Sequence, residues 1–153
     1  MKRIFLPIEI KAREFHSKIL FSLFAVEYGF EVLLGGQSEL FEALPDFGQG
    51  LYIDKSVAIT RRERFLHFRS LGNHIVAWNE EGLIYHSDNV YHATRMDQEA
   101  FDQTDLFFAW GPHETKTILT RYPEAKKKVF QTGNPRMDLL RPIFRTYCKP
   151  RIS

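Results

Sequence analysis

Val129 to Asp138 reads VFQTGNPRMD, and its residue types suit ligand chemistry more plainly than any other stretch of the chain. Val129-Phe130-Gln131 reads as a short strand. Thr132-Gly133-Asn134-Pro135 breaks it, and Arg136 onward reads as a helix with Leu139, Leu140 and Ile143 as its apolar residues. Strand-turn-helix loops of this kind carry ligands in open α/β sheets. Gly133 can take a positive φ at no steric cost, and Pro135 suits a first helical turn because its missing N–H would be unpaired there. The N–H groups after Pro135, with the Arg136 guanidinium, would then form a small anion site. The plainer reading is an ordinary turn, since Gly, Asn and Pro are common turn residues.

Carboxylates and one histidine are the next candidates. Glu9 lies at the end of an apolar run. It reads either as a structural carboxylate paired with Lys11 or Arg13, or as a functional one. In the second case it sits in a low-dielectric cleft with a raised pKa, able to act as a base or to hold ligand hydroxyls. Glu80 and Glu81 are neighbours, so in an extended loop at most one of them reaches a substrate. Asp54-Lys55 reads as part of the site or as a local ion pair, worth at most about 1 kcal/mol if exposed. His113 follows Gly111-Pro112 at an expected helix start, where the positive helix end favours neutral imidazole. There it is a hydrogen-bond donor, a general base, or simply a polar first-turn residue.

Several chemistries find no support. No His-x-x-x-His or Cys-x-x-Cys spacing occurs, so no protein metal site is expected. Neither a GxGxxG after the first strand nor a GxxxxGK is present, which argues against a dinucleotide or P-loop enzyme, and no cofactor is expected. Serine and cysteine hydrolases lack their signatures: there is no Gly-x-Ser-x-Gly, and the one cysteine, Cys148, lies in the tail.

Strands alternating with helices must position these groups. The expected strands are Arg3–Ile10, Phe30–Leu34 ended by Gly35-Gly36, Gly50–Asp54, His74–Trp78, Asp105–Trp110 and Val129–Gln131. The expected helices are Lys11–Tyr28, a short one capped by Ser38 and stopped before Pro45, Thr60–Leu71, Asp97–Gln103, Pro112–Tyr122, and the last one from Arg136. For the first helix, Phe15, Ile19, Phe21 or Ser22, Leu23 and Val26 supply the apolar face. Residues between Glu80 and Asp97 read as loop. The alternation predicts an α/β, Rossmann-like three-layer sandwich with a mostly parallel sheet of about six strands. Ligands bind beyond the carboxyl ends of such strands. This edge gathers Glu9, Lys11 and Arg13; Gly35 and Gly36; Asp54 and Lys55; Glu80, Glu81 and Gly82; Gly111 and His113; and Thr132 to Arg136.

With 153 residues, one domain over 1–145 is expected, followed by a tail or linker start at 146–153. Twenty-one basic against 19 acidic side chains leave a formal charge of +2, which does not argue for a nucleic-acid partner. The basic residues cluster at Arg61, Arg62, Arg64 and at Lys126, Lys127, Lys128. These read as solvated helix faces, or more sharply as attraction to a membrane surface or an anionic lipid-linked sugar. A single cysteine fits a reducing compartment. The apolar part of the N-terminal stretch is too short for a signal peptide or a span, so a cytoplasmic protein is expected.

The segment Thr132-Gly133-Asn134-Pro135-Arg136-x-Asp138 resembles the TGNPR-F/M-D segment of bacterial surface-polysaccharide biosynthesis proteins, which look like glycosyltransferases of the two-domain B-type fold. Leu6 to Phe15, LPIEIKAREF, resembles that family's LPIEIKAREFDSK opening. Tyr52 to Ser56, Glu80 to Leu83 and Asp105 to Gly111 also match in order, so the resemblance runs from about Ile4 to Arg141. The chain departs from the family at Asn79, where members usually carry Asp. Full-length members continue well beyond this length, so the resemblance is to their first half. It implies an acceptor-side domain, with the nucleotide-sugar donor site mostly in a second domain. The acceptor would be a glycan or lipid-linked sugar, and this chain alone would be inactive. Glu9, Glu80 or Glu81 would supply a base or carboxylate contact, while Arg13, Lys55 and Arg136 would face anionic groups. Two alternatives stand beside it: a non-catalytic sugar- or nucleotide-binding module, and half of a sugar-nucleotide epimerase, on the looser TGNP match alone.

Overall fold

The apolar runs become strands β1 (Lys2–Ile8), β2 (Phe30–Gly36), β3 (Leu51–Asp54), β4 (His74–Trp78), β5 (Leu106–Ala109) and β6 (Val129–Gln131). They belong to a computed structural model that describes residues 2–80 and 84–144. All the strands pair in parallel, in the order β2-β1-β3-β4-β5-β6. The helices between them are α1 (Lys11–Glu27), α2 (Gln37–Phe47), α3 (Arg62–Ser70), α4 (Asp88–Arg95), α5 (Gln98–Asp102), α6 (Pro112–Arg121) and α7 (Pro135–Asp138). The fold is therefore the expected Rossmann-like three-layer α/β sandwich. No described helix is long and apolar enough to cross a membrane.

Strand order explains the layers. The chain steps from β1 to β2 in one direction and then from β2 to β3 in the other. Parallel crossovers are right-handed, so α1 and α2 must lie on opposite faces. The two cores agree. On one face Ala25 and Phe21 of α1 meet Ile4, Leu6, Ile53, Val76 and Trp78. On the other, Leu40, Leu44, Phe65, Phe68, Tyr91, Phe101 and Ile118 meet Phe5, Tyr52, Ile75, Ala77 and Phe107. Alternate residues of one strand feed opposite cores, as the pleat requires. The reversal leaves a crevice at the carboxyl ends of β1 and β3.

Four local expectations need correcting. First, α1 does not bury the apolar stripe read from its sequence. Ile19, Leu23 and Val26 are exposed, and the helix turns Glu14, Ser17, Lys18 and Ala25 inward. The buried ion pair between Glu14 and Lys18 lies on that inward face. Second, α2 starts at Gly36 with no side-chain cap, so Ser38 is not its cap, and the helix runs on past Pro45. The second strand likewise continues through Gly35 and Gly36 rather than ending before them. Third, the stretch read as loop before Asp97 contains α4, whose first turn is capped by Ser87 Oγ accepting from the Val90 N–H at 3.3 Å. Fourth, the last helix is a single turn, Pro135–Asp138, and Ile143 lies in a separate 3-10 turn. The tail from residue 145 lies outside the described residues.

Two substitutions test this packing. Phe68 is fully buried, with its ring 4.2 Å from that of Tyr52. Phe68→Ala is expected to cost about 3–5 kcal/mol in urea unfolding. Leu23→Ser, on the outward face of α1, is expected to change stability by no more than about 0.5 kcal/mol. A cost at Leu23 comparable to that at Phe68 would mean that α1 is turned the other way.

Candidate functional site

The crevice is built first by a buried pair. Glu14 is fully buried in the first turn of α1 and accepts the backbone N–H groups of Glu9 and Ile10, each at 3.1 Å. Its Oε2 also takes Lys18 Nζ at 2.7 Å, and Lys18 donates as well to the Pro7 carbonyl. Burial pushes the Glu14 carboxyl up, but the Lys18 hydrogen bond and charge and the two N–H groups outweigh it. The pKa ends below its ordinary 4.5. The pair clamps the β1–α1 loop and so fixes where Glu9 stands.

Glu9 is not the buried, raised carboxylate expected. Its side chain is 41% exposed and pairs with Lys55 Nζ at 2.8 Å and Arg61 Nη2 at 3.2 Å, not with Lys11 or Arg13. The Lys55 hydrogen bond holds its pKa below the ordinary value. Asp54 is fully buried and is not paired with Lys55. It accepts from Arg61 Nε at 3.1 Å, from the Tyr52 hydroxyl at 3.2 Å and from the Ser56 N–H at 3.1 Å. Arg64 Nη1 stands 3.8 Å from the same carboxylate, and Arg62 pairs with Asp97 and Glu99. The Arg61–Arg64 cluster is thus held by carboxylates of the chain itself rather than forming an open basic face.

Beyond β4 the edge continues. Glu80 is only 4% exposed. Its N–H donates to the Lys55 carbonyl at 3.0 Å, and its Oε1 accepts Trp78 Nε1 at 2.9 Å. Arg136 reaches across from α7: Nη1 donates to the Glu80 carbonyl at 3.2 Å and stands 3.7 Å from Glu80 Oε2. Glu81 and Gly82 lie outside the described residues. Glu80 joins two hollows. One, of about 190 Å³, includes Glu9, Lys55, Arg61 and Arg95. The other, of about 380 Å³, includes Arg13, Arg95, Trp110 and Arg136. Lys11, Gly35 and Gly36 line a third, of about 510 Å³, on the far side of Glu9.

The TGNP turn partly departs from expectation. Gly133 does take φ +81. The Thr132 and Gly133 N–H groups both donate back to the Ala109 carbonyl, at 3.1 Å each. Asn134 Oδ1 accepts the Arg136 N–H at 3.0 Å. With that N–H taken and only one helical turn following, the backbone part of the expected anion site is missing, and Arg136 contributes through its side chain. His113 is exposed, stacked on Tyr85 at 5.7 Å, with Asp88 at 4.0 Å. It lines neither hollow that contains Glu80. Gly111 is extended backbone at φ 178 with open space beside it, so the position makes no demand for glycine.

Sequence reasoning missed Glu14, Lys18 and Glu114. Glu114 is 2% exposed and accepts the Tyr91 hydroxyl and the Trp110 N–H, each at 2.7 Å. Trp110 Nε1 in turn donates to the Asn79 carbonyl, and Asn79 Nδ2 donates to the Tyr91 hydroxyl at 3.4 Å. Burial pushes the Glu114 carboxyl above its ordinary 4.5, against the hydrogen bonds from Trp110 and Tyr91. This network stiffens the chain on both sides of the larger hollow. The one available signal for Glu14 and Lys18 was their i, i+4 spacing, which is also the commonest surface pattern on helices. Comparison with family models, curated proteins and solved structures finds no match to this chain.

The Glu14–Lys18 clamp has a pH signature. A lowered carboxyl pKa contributes stability above 4.5 that is lost as pH falls through the folded value. Glu14→Gln leaves Lys18 buried without its counter-charge, so it is expected to cost about 3–5 kcal/mol at neutral pH. That gap from the unaltered chain should narrow as pH falls below 4.5. Urea unfolding across that range checks it, and a pH-independent gap would exclude the charged pair.

Proposed function

We propose that this chain is the acceptor-side half of a glycosyltransferase of surface-polysaccharide synthesis, built on the two-domain B-type plan. One observation carries the reading: charged groups from separate strand ends, Glu9, Lys55, Glu80 and Arg136, line adjoining hollows along the carboxyl edge of a parallel sheet. The resemblance over Ile4 to Arg141 supports it, because its blocks at Glu9, Asp54-Lys55, Glu80 and Thr132–Arg136 all fall on that edge. In this reading the edge holds a glycan or lipid-linked acceptor. A second domain supplies the nucleotide-sugar donor and closes the cleft against water. Of the two basic clusters, Arg61, Arg62 and Arg64 are paired with Asp54, Glu9, Asp97 and Glu99 and lend a membrane surface no support, while Lys126 and Lys127 are exposed.

A second reading, a non-catalytic sugar-binding module, is favoured by Glu9 itself. Its ion pairs with Lys55 and Arg61 hold it as a carboxylate, which suits binding better than proton abstraction.

The test is calorimetry of the purified chain against CMP, UDP, GDP, CDP and their sugars, with NMR titration of neutral oligosaccharides alongside. No nucleotide is expected to bind, and saccharides are expected to shift the amide resonances of Glu9, Lys55 and Glu80. A nucleotide bound at micromolar affinity would place the donor site here and end the two-domain reading. Saccharides that leave the edge resonances unmoved would end both readings.

A further inference from the structure

We infer that the hollow between Glu80 and Arg136 is a subsite for an acidic sugar, one carrying a carboxylate or phosphate beside its hydroxyls. The inference rests on the acceptor-side reading of this edge and adds to it the substrate class.

One carboxylate oxygen in the hollow is an unmet acceptor. Glu80 is 4% exposed, yet its Oε2 has no hydrogen-bond partner among the described residues. Arg136 Nη1, at 3.7 Å, is too far to serve as one. A buried carboxylate oxygen without a donor is costly, and native structures retain such groups where a partner arrives from outside. A ligand hydroxyl entering the hollow meets that need.

Facing it is an under-used donor. Among the described residues, Arg136 engages the chain through Nη1, at the Glu80 carbonyl and carboxylate. Its Nε and Nη2 have no partner among the described residues. Guanidinium presents two parallel N–H groups that match a carboxylate or phosphate. Arg13, which stands 3.7 Å from the Glu14 carboxylate, and Arg95 line the same wall. Asn134, two residues before Arg136 and 4% exposed, keeps its Nδ2 without an acceptor, so the same turn carries another unmet donor.

The site is rigid and partly apolar. The Glu80 N–H is tied to the Lys55 carbonyl, and the Trp110 indole is tied to the Asn79 carbonyl. Trp110 and Met137 give the hollow an apolar wall suited to the C–H face of a pyranose ring. The volume, about 380 Å³, is that of a small-ligand pocket. A neutral sugar satisfies Glu80 only. Inorganic phosphate satisfies Arg136 only. A sugar bearing an anionic group beside a hydroxyl satisfies both.

The experiment titrates the full chain with glucuronate, glucose 6-phosphate, glucose and inorganic phosphate, by calorimetry and NMR at constant ionic strength. At least one anionic sugar is expected to bind about tenfold more tightly than glucose or phosphate, shifting the resonances of Glu80, Trp110 and Arg136. The tighter of the two identifies carboxylate or phosphate as the group recognised. Arg136→Gln is expected to remove the anionic preference while leaving glucose binding in place. Glu80→Gln is expected to weaken every sugar and leave phosphate unchanged. An unchanged amide spectrum shows that each variant is folded. Glucose binding as tightly as both anions would overturn the subsite while leaving the acceptor-side reading intact. Phosphate binding as tightly as the tighter anionic sugar would reduce the hollow to a plain anion site and overturn the inference. An anionic preference that survives both substitutions would overturn it too, and no saccharide binding at all would remove both proposals.

Discussion

The buried Glu14–Lys18 pair is the interaction on which the candidate edge depends. Both side chains are almost wholly withdrawn from solvent, and they sit directly under the loop that joins β1 to α1. Removing two charges from water costs several kcal/mol for each, and attraction between them offsets that only when the remaining bonding capacity is filled. Here it is filled by main chain: the Glu9 and Ile10 N–H groups go to Glu14, and the Pro7 carbonyl takes Lys18. The pair therefore acts as a clamp on the last residues of β1 rather than as an isolated salt bridge. It lies at the strand-order reversal, where an open α/β sheet forms its crevice.

Around that clamp the edge is organised by charge. Asp54 gathers Arg61 and Arg64, Glu9 gathers Lys55 and Arg61, and Arg136 crosses to Glu80. Lys55 stands 3.7 Å from Glu14 as well as touching Glu9, so the clamp and the surface cleft form one electrostatic unit. A second buried polar group, Glu114 with Tyr91, Asn79 and Trp110, supports the segment leading to Glu80 from the opposite core. The two devices hold the end of β1 and the ends of β4 and β5 from the two faces of the sheet. Rigid scaffolding of this kind is what a site needs if its charged groups are to meet a ligand without rearranging.

The strands were legible because buried parallel strands are continuous apolar runs, as in Ile4-Phe5-Leu6 and Ile75-Val76-Ala77. Helix faces were less legible. In α1, Leu23 and Val26 lie outward while Glu14 and Lys18 lie inward, because the pair finds its remaining partners in the Pro7, Glu9 and Ile10 main chain, which helical periodicity does not register. Helix α4 escaped because its eight residues, Asp88–Arg95, hold one aliphatic side chain larger than alanine, and it buries Tyr91 and His92. Among the site residues, Glu9, Asp54, Lys55, Glu80 and Arg136 fall on one edge as expected. The partners of Glu9 were not legible, since Lys55 and Arg61 come from the connection after β3, 46 and 52 residues away, while Asp54 meets Arg61 within that same connection. His113 shares the edge but meets Tyr85 instead.

By itself, the amino-acid sequence determined the alternation of strand and helix, the parallel sheet, and the set of charged residues delivered to its carboxyl edge. These follow from periodicity and from the handedness of crossovers, which are local or nearly local rules. The tertiary structure alone decided which charges are consumed by one another and which face a cavity. Arg61 and Asp54 are seven residues apart, Arg3 and Glu31 twenty-eight, Arg136 and Glu80 fifty-six. Whether such groups pair depends on distances of a few ångströms after the whole sheet has assembled, and Coulomb energy at those distances varies too steeply for sequence spacing to predict.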